Sequence, residues 1–264
     1  FRYRFAEYNV DGTFKHVPRS LVGAYKAYQT GNKLYSRSGV TPTTSTTYTN
    51  FTNYAAARGA GYRLIDFQQH CVIAFMLYAK YANRNLQAVL GAGGATYSPA
   101  TTTGTTNQKG NRDTVNETSG YVNGLGLEGV FGGQYEWVQN VSIQDRVWTI
   151  TDPDGTQRNV NAYAGGDGWI TGLAAESGPY FDVVPTAVGG SETTHYSDYY
   201  YQTSGGPFCL LRSCFSSHAS GGVAFSDASN APSHSSADIG SRLAFRGVIR
   251  EASSVSAFKS LSVL

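Results

Sequence analysis

The chain has 264 residues, 41% of them hydrophobic and 13% aromatic, with 14% charged and a net charge of +2. That length is enough for one large domain or two small ones with a sizeable core, and the aromatic content excludes a disordered chain. The charge balance and the lack of a Lys/Arg cluster exclude a protein that tracks a phosphate backbone, and the longest apolar run, Cys71 to Ala79, is far too short to cross a bilayer.

The opening FRYRFAEY alternates like a strand, and Asn9-Val-Asp-Gly supplies a turn. The chain begins at Phe1 without Met and without a signal peptide, so it is expected to be a trimmed piece of a longer protein. Residues 1–40 are read as an N-terminal strand and connector region and 41–264 as one domain, joined by the Thr/Ser/Pro stretch from Ser38 to Asn50. A short helix is expected from Asn50 to Arg58, with Gly59 or Gly61 available for a left-handed stop. The strongest helix follows, with Asp66 as N-cap and an apolar face of Phe67, Val72, Phe75, Met76, Ala79 and Ala82. It is expected to be the main pillar of the core.

After Gly91 a long polar excursion reads as surface loop. YEWVQNVSIQDRVWTI alternates as one or two strands around Trp137 and Trp148, Asp152-Pro-Asp-Gly turns the chain, and TQRNVNAYA returns it. Gly165 to Gly190 reads as irregular chain anchored by Trp169, Phe181 and Val183, and Tyr196 to Tyr201 as a tyrosine-dense strand. Alternation there requires at least one of Tyr199, Tyr200 and Tyr201 to face inward.

Catalytic chemistry is scarce. His16, His70, His195, His218 and His234 share no metal-ligand spacing, and His70 and Cys71 are neighbours on a helix that do not face one another. Cys209 and Cys214 are close enough to meet across a turn but form neither a metal motif nor a disulfide framework. No nucleophile elbow or phosphate loop is present, and Glu136 with Asp145, or Asp152 with Asp154, reads as strand-end or turn chemistry.

The segment from Arg212 to Arg246 is the most informative. From Ser213 to Ile239 it contains no Lys, Glu, Gln, Met or Trp, the residues that codons ending in a pyrimidine cannot encode. Val223, Phe225, Ile239, Leu243 and Phe245 recur through it like pins fastening a loop to a core, while Ser, His, Asp and Asn fill the gaps. Such a division separates positions that hold the scaffold from positions free to vary.

Four pieces, in order, resemble the formylglycine-generating-enzyme-like branch of the C-type lectin fold: Tyr62-Arg63-Leu64, Gly133 to Val138, Arg212 to Ser216, and Gly240-Ser241-Arg242. Within that branch Ile239 to Arg246, reading IGSRLAFR, resembles the variable proteins of diversity-generating retroelements carried by gut phages and prophages of Gram-positive bacteria. Ser213, Cys214 and Ser216 depart from that family's Gly-Gly and Trp, and Tyr135 replaces a Trp.

The resemblance implies an α+β C-type lectin fold with one long core helix, short antiparallel strands and extensive irregular loops. It implies a display protein rather than an enzyme, with no cofactor, no nucleic acid and no membrane insertion. Its expected partner is a host cell-surface receptor, its expected assembly a homotrimer, and its expected place the phage virion, with the bacterial surface as the alternative. The variable segment is 213–238. Its expected contact residues are Phe215, Ser217, His218, Ser220, Gly221, Ser226, Asp227, Ser229, Asn230, His234, Ser236 and Asp238, flanked by Tyr199 and Tyr201. Arg63, Trp137 and Arg242 are read as structural. The alternative function within the branch is a copper or iron enzyme, for which no matching cysteine pair or histidine set stands in the sequence.

Overall fold

The computed structural model describes residues 6–8, 14–16, 20–214, 221–247, 249 and 252–260. It is a mixed α+β protein, mostly strands with few helices, and a nine-stranded sheet dominates it. Two of that sheet's strands, Tyr135–Gln144 and Phe208–Arg212, pair antiparallel at its centre. Because side chains alternate along a strand, each supplies both faces: Val138 and Leu210 join one apolar cluster, Trp137, Cys209 and Leu211 the other. Burial on both faces explains the near-continuous apolar run PFCLLR.

The larger cluster lies under the long helix α2 (Phe67–Tyr81). Asp66 caps this helix as its sequence suggests, accepting from the Gln69 amide at 2.9 Å while the Gln69 side chain accepts from Asp66 in return. The buried face differs from the expected one. Phe67, His70, Cys71, Ala74 and Leu77 point inward, whereas Phe75, Met76, Ala79 and Ala82 are exposed. Both stripes follow helical spacing; the inward one packs Phe67, Cys71, Ala74 and Leu77 into the larger cluster and places His70 beside a buried carboxylate.

The smaller cluster is covered by α1 (Tyr48–Ala56) and the hairpin of Ala27–Thr30 with Lys33–Ser36. Helix α1 begins two residues earlier than expected, capped by Thr47, and its C-cap Ala57 is right-handed, so neither Gly59 nor Gly61 ends it. Leu21–Val22 pairs with Leu243–Phe245, so the stretch from residue 20 is built into the same fold as the C-terminal strands. The strand pair at the N-terminus, Ala6–Tyr8 with Phe14–His16, is present, while the turn at Asn9 lies outside the described residues.

The hairpin from Trp137 to Trp148 resolves into two strands, Tyr135–Gln144 and Val147–Thr151, and Gln157–Asn161 returns beside the second in the expected order. The Gly165 to Gly190 region is more regular than its glycine content suggests. It holds two paired strands, Gly168–Leu173 and Pro185–Val188, and Trp169 is only half-buried. Cys71, Cys209 and Cys214 are all buried, and the conceivable Cys209–Cys214 disulfide does not form.

One buried ionic cluster joins these parts. The Glu136 carboxylate stands 2.9 Å from Lys26 Nζ, 2.9 Å from Arg242 Nε and 3.5 Å from His70 Nε2, all nearly inaccessible to solvent. Arg242 also donates to the carbonyls of Gly23, Glu128 and Gly129. Burial opposes the Glu136 charge, but Arg242 and Lys26 hold its carboxyl well below the usual range. Burial likewise pulls the Lys26 ammonium down to about 8, with Glu136 resisting, and keeps His70 below its ordinary value.

Trp137→Ala should destabilise the protein by roughly 3–5 kcal/mol in urea titration, since it opens a cavity in a fully buried site. Glu136→Gln should cost about 3–5 kcal/mol, because two buried cations lose their counter-charge. Glu136's folded pKa is depressed, so its stabilisation is present above 4.5 and lost as pH falls. The variant's stability should therefore decline less steeply than the parent's below that pH.

Candidate ligand-binding surface

The strands Tyr199–Gln202 and Ser226–Asn230 run parallel and in register, Tyr200 opposite Ser226 and Tyr201 opposite Asp227. Alternation then sorts the residues. Tyr200 and Ser226 turn inward together, Tyr200 donating to the Ala162 carbonyl at 3.1 Å and Ser226 Oγ lying 2.6 Å from Arg212. Tyr201 and Asp227 turn outward together.

An aromatic row continues across the neighbouring strand. Trp169 pairs opposite Tyr199 with ring centroids 5.4 Å apart, Tyr199 lies 4.7 Å from Tyr201, and Tyr201 meets the buried Phe225 at 6.0 Å. Phe225 in turn contacts Tyr135 at 5.5 Å. Tyrosines and tryptophan offer large contact area with few rotamers to lose, which suits a binding face. Asp227 lies in this row, its Oδ1 accepting from the Ser229 amide at 3.0 Å and the Ser229 hydroxyl at 2.6 Å. Burial pushes its carboxyl above the usual range.

Two buried charged residues fix the start of the segment. Asp198 accepts from the amides of Gly222 at 2.6 Å and Ala224 at 2.7 Å, and from the Gln87 side chain at 3.1 Å. Arg212 donates to the carbonyls of Ala224 at 3.0 Å, Phe225 at 3.2 Å and Val183. Burial raises the Asp198 carboxyl to about 7 despite these donors, and lowers the Arg212 guanidinium to about 10. The backbone from Gly222 to Ser226 is thus held from both sides by groups that do not reach solvent.

Neither family models nor curated proteins match this chain.

The structure divides the expected contact residues. Asp227 and Ser229 lie on one strand face with Tyr201, and Tyr199 adjoins them. His234 is exposed, and Ser236 and Asp238 are half-buried, on the loop that leads to Ile239. Asp238 also contributes its carbonyl to the Tyr135 amide at 2.8 Å, which ties the loop's end to the central strand. Asn230 is half-buried at the end of its strand, opposite Cys209. Phe215, Ser217, His218 and Ser220 lie outside the described residues.

Two expected contacts are corrected. Ser226 is fully buried, its hydroxyl held between Arg212 and the Ala224 carbonyl, so it presents nothing to a ligand. Gly221 is buried against Cys214, where an added Cβ would come within 1.8 Å of the Cys214 Cβ. Gly222 is similarly confined, its would-be Cβ 2.2 Å from Asp198 Oδ1.

The residues missed were Trp169, Tyr135 and Asp198. Strict alternation in GWITGL would have found the first, since Ile170 and Gly172 face inward and Trp169 must then face out. No local signal marks Asp198, because its partners lie 24 and 26 positions away.

Asp198's folded pKa is raised, so its contribution is fully present below 3.8 and is lost as pH rises through about 7. Comparison of Asp198→Asn with the parent by urea unfolding across that window should show this falling component vanish. Gly222→Ala should destabilise more than the ordinary cost of an exposed glycine replacement and should speed amide exchange at Ala224.

Proposed function

We propose that this chain is a binding module of the C-type lectin type, displaying a variable segment at 213–238 to a receptor on a host cell surface. The observation that carries the reading is the division of labour within the segment. Val223, Phe225, Ser226 and Ile239 are buried in the fold, whereas Asp227, Ser229 and His234 are left on or near the surface. A scaffold built to tolerate variation needs that separation, because core substitutions cost several kcal/mol and surface ones roughly 0.5 or less. The adjoining Trp169, Tyr199 and Tyr201, outside the segment 213–238, supply an aromatic platform beside which different neighbours can be displayed.

The resemblance of Ile239 to Arg246 to retroelement variable proteins extends the proposal to a phage tail, acting as a homotrimer on the virion and binding without catalysis. No helix among the described residues is long and apolar enough to cross a membrane. The decisive test is genetic: a near-copy of the codons for Ser213 to Arg246, differing almost only at adenines and lying beside a reverse-transcriptase gene, is the expected finding. Absence of both elements from the flanking DNA would overturn the retroelement reading.

At the protein level, His234→Ala together with Tyr201→Ala should change the thermal midpoint by only a few degrees. Adsorption to the recognised host cells, measured by pelleting the labelled protein with them, should drop at least tenfold. Unchanged adsorption by the folded variant would place the receptor site elsewhere.

A further inference from the structure

A concavity of about 280 Å³ opens on a part of the molecule to which the described residues of the segment 213–238 contribute no lining residue. Its walls include Thr52 from α1, Tyr62 and Arg63 from the strand before α2, Gln139 from the central strand, Pro153 and Arg246. Two arginines, Arg63 and Arg246, therefore line it, and none of its lining residues among the described ones is acidic.

The carboxylate behind them is already committed. Asp66 accepts Arg246 through Nε and, at 3.0 Å, through a terminal nitrogen, while Oδ1 also caps α2. Arg63 is left 3.9 Å from Asp66 Oδ2, with one 3.4 Å bond to Asn140 Oδ1. Two cations thus share one carboxylate, and most of Arg63's five N–H donors have no close acceptor among the described residues. Burial pulls the Arg63 guanidinium below its usual range; Asp66 opposes this and Arg246 adds to it. A ligand oxyanion would supply the missing charge and match the planar fork of donors.

The remaining walls suit a compact body on that anion. Gln139 Oε1 is used by the Leu64 amide at 3.0 Å, which leaves its amide nitrogen as a donor. The Tyr62 ring is held between the Arg58 guanidinium, 5.0 Å from its centroid, and the Phe245 ring at 4.9 Å. The volume is below the range for drug-sized ligands and fits a body on the scale of one sugar ring.

We propose that this concavity binds a monosaccharide-sized ligand carrying a single carboxylate or phosphate, anchored by Arg63. The site is separate from the proposed receptor surface, so its failure leaves that reading standing and the converse also holds. The probes are glucuronic acid, glucose 6-phosphate, glucose and inorganic phosphate, titrated calorimetrically into the whole chain.

Both acidic sugars should bind at least tenfold more tightly than glucose and than phosphate alone. Arg63→Gln should weaken them at least tenfold while the free variant keeps its circular dichroism and unfolds in one transition, and Arg63→Lys should recover only part of the loss. Should Arg63→Gln not fold, the parent's amide shifts at Tyr62, Arg63 and Gln139 on adding glucuronic acid provide the same test. A polymer ending in glucuronate that binds more tightly than the free acid would identify a surface glycan as the source, and the reverse a soluble metabolite; either supports the site. Equal binding of glucose, equal binding of phosphate alone, undiminished binding by folded Arg63→Gln, or shifts absent from those three amides would each overturn it.

Discussion

The fold depends on a single buried carboxylate. Glu136 stands at the start of the central strand and is met by Lys26 from the N-terminal side, His70 from the long helix and Arg242 from the C-terminal strands. Three stretches distant in sequence thereby converge on the charge of a fourth. Such a cluster adds little net stability over apolar packing, since removing ions from water is costly. What it adds is selectivity: any register that moves one partner leaves a charge buried alone. The inward face of the long helix, which buries Phe67, Cys71, Ala74 and Leu77, also brings His70 to Glu136.

A related device operates at the edge of the proposed binding surface. Asp198 and Arg212 hold the backbone of residues 222–225 through its amides and carbonyls, and Ser226 through its hydroxyl. Backbone anchoring is indifferent to what the neighbouring side chains are. It allows residues beyond the clamp to change without altering the path of the chain, provided that Gly221 and Gly222 remain small. The parallel pairing of Tyr199–Gln202 with Ser226–Asn230 then passes this rigidity on to the outward row of Tyr201, Asp227 and Ser229.

Much of the scaffold is legible in the sequence because it is local. The Asp66 cap, the Asp152-Pro-Asp-Gly turn, the hairpin around the two tryptophans and the inward turn of one tyrosine in three all follow from spacing within a few residues. The pins Val223, Phe225, Ile239 and Leu243 also read correctly, since isolated apolar residues in a polar run have few other places to go. The Gly165 to Gly190 region was illegible for the opposite reason. Its glycines weaken the strand pattern, and its two strands form by pairing with each other across an intervening loop, the first also with Tyr199–Gln202.

The sequence by itself determined the mixed α+β character, the long helix with its cap and the short helix before it, the central hairpin, and the contrast between pins and polar gaps in the C-terminal segment. Only the tertiary structure decided which stripe of the long helix is buried, that Ser226 and Gly221 belong to the frame, that Trp169 stands beside the tyrosines, and that Arg63 borders a concavity with excess positive charge. The first set depends on periodicity and turn chemistry, which act over a few residues. The second depends on charges and faces brought together from far apart in the chain, and no local pattern encodes which of several possible partners a buried charge will find.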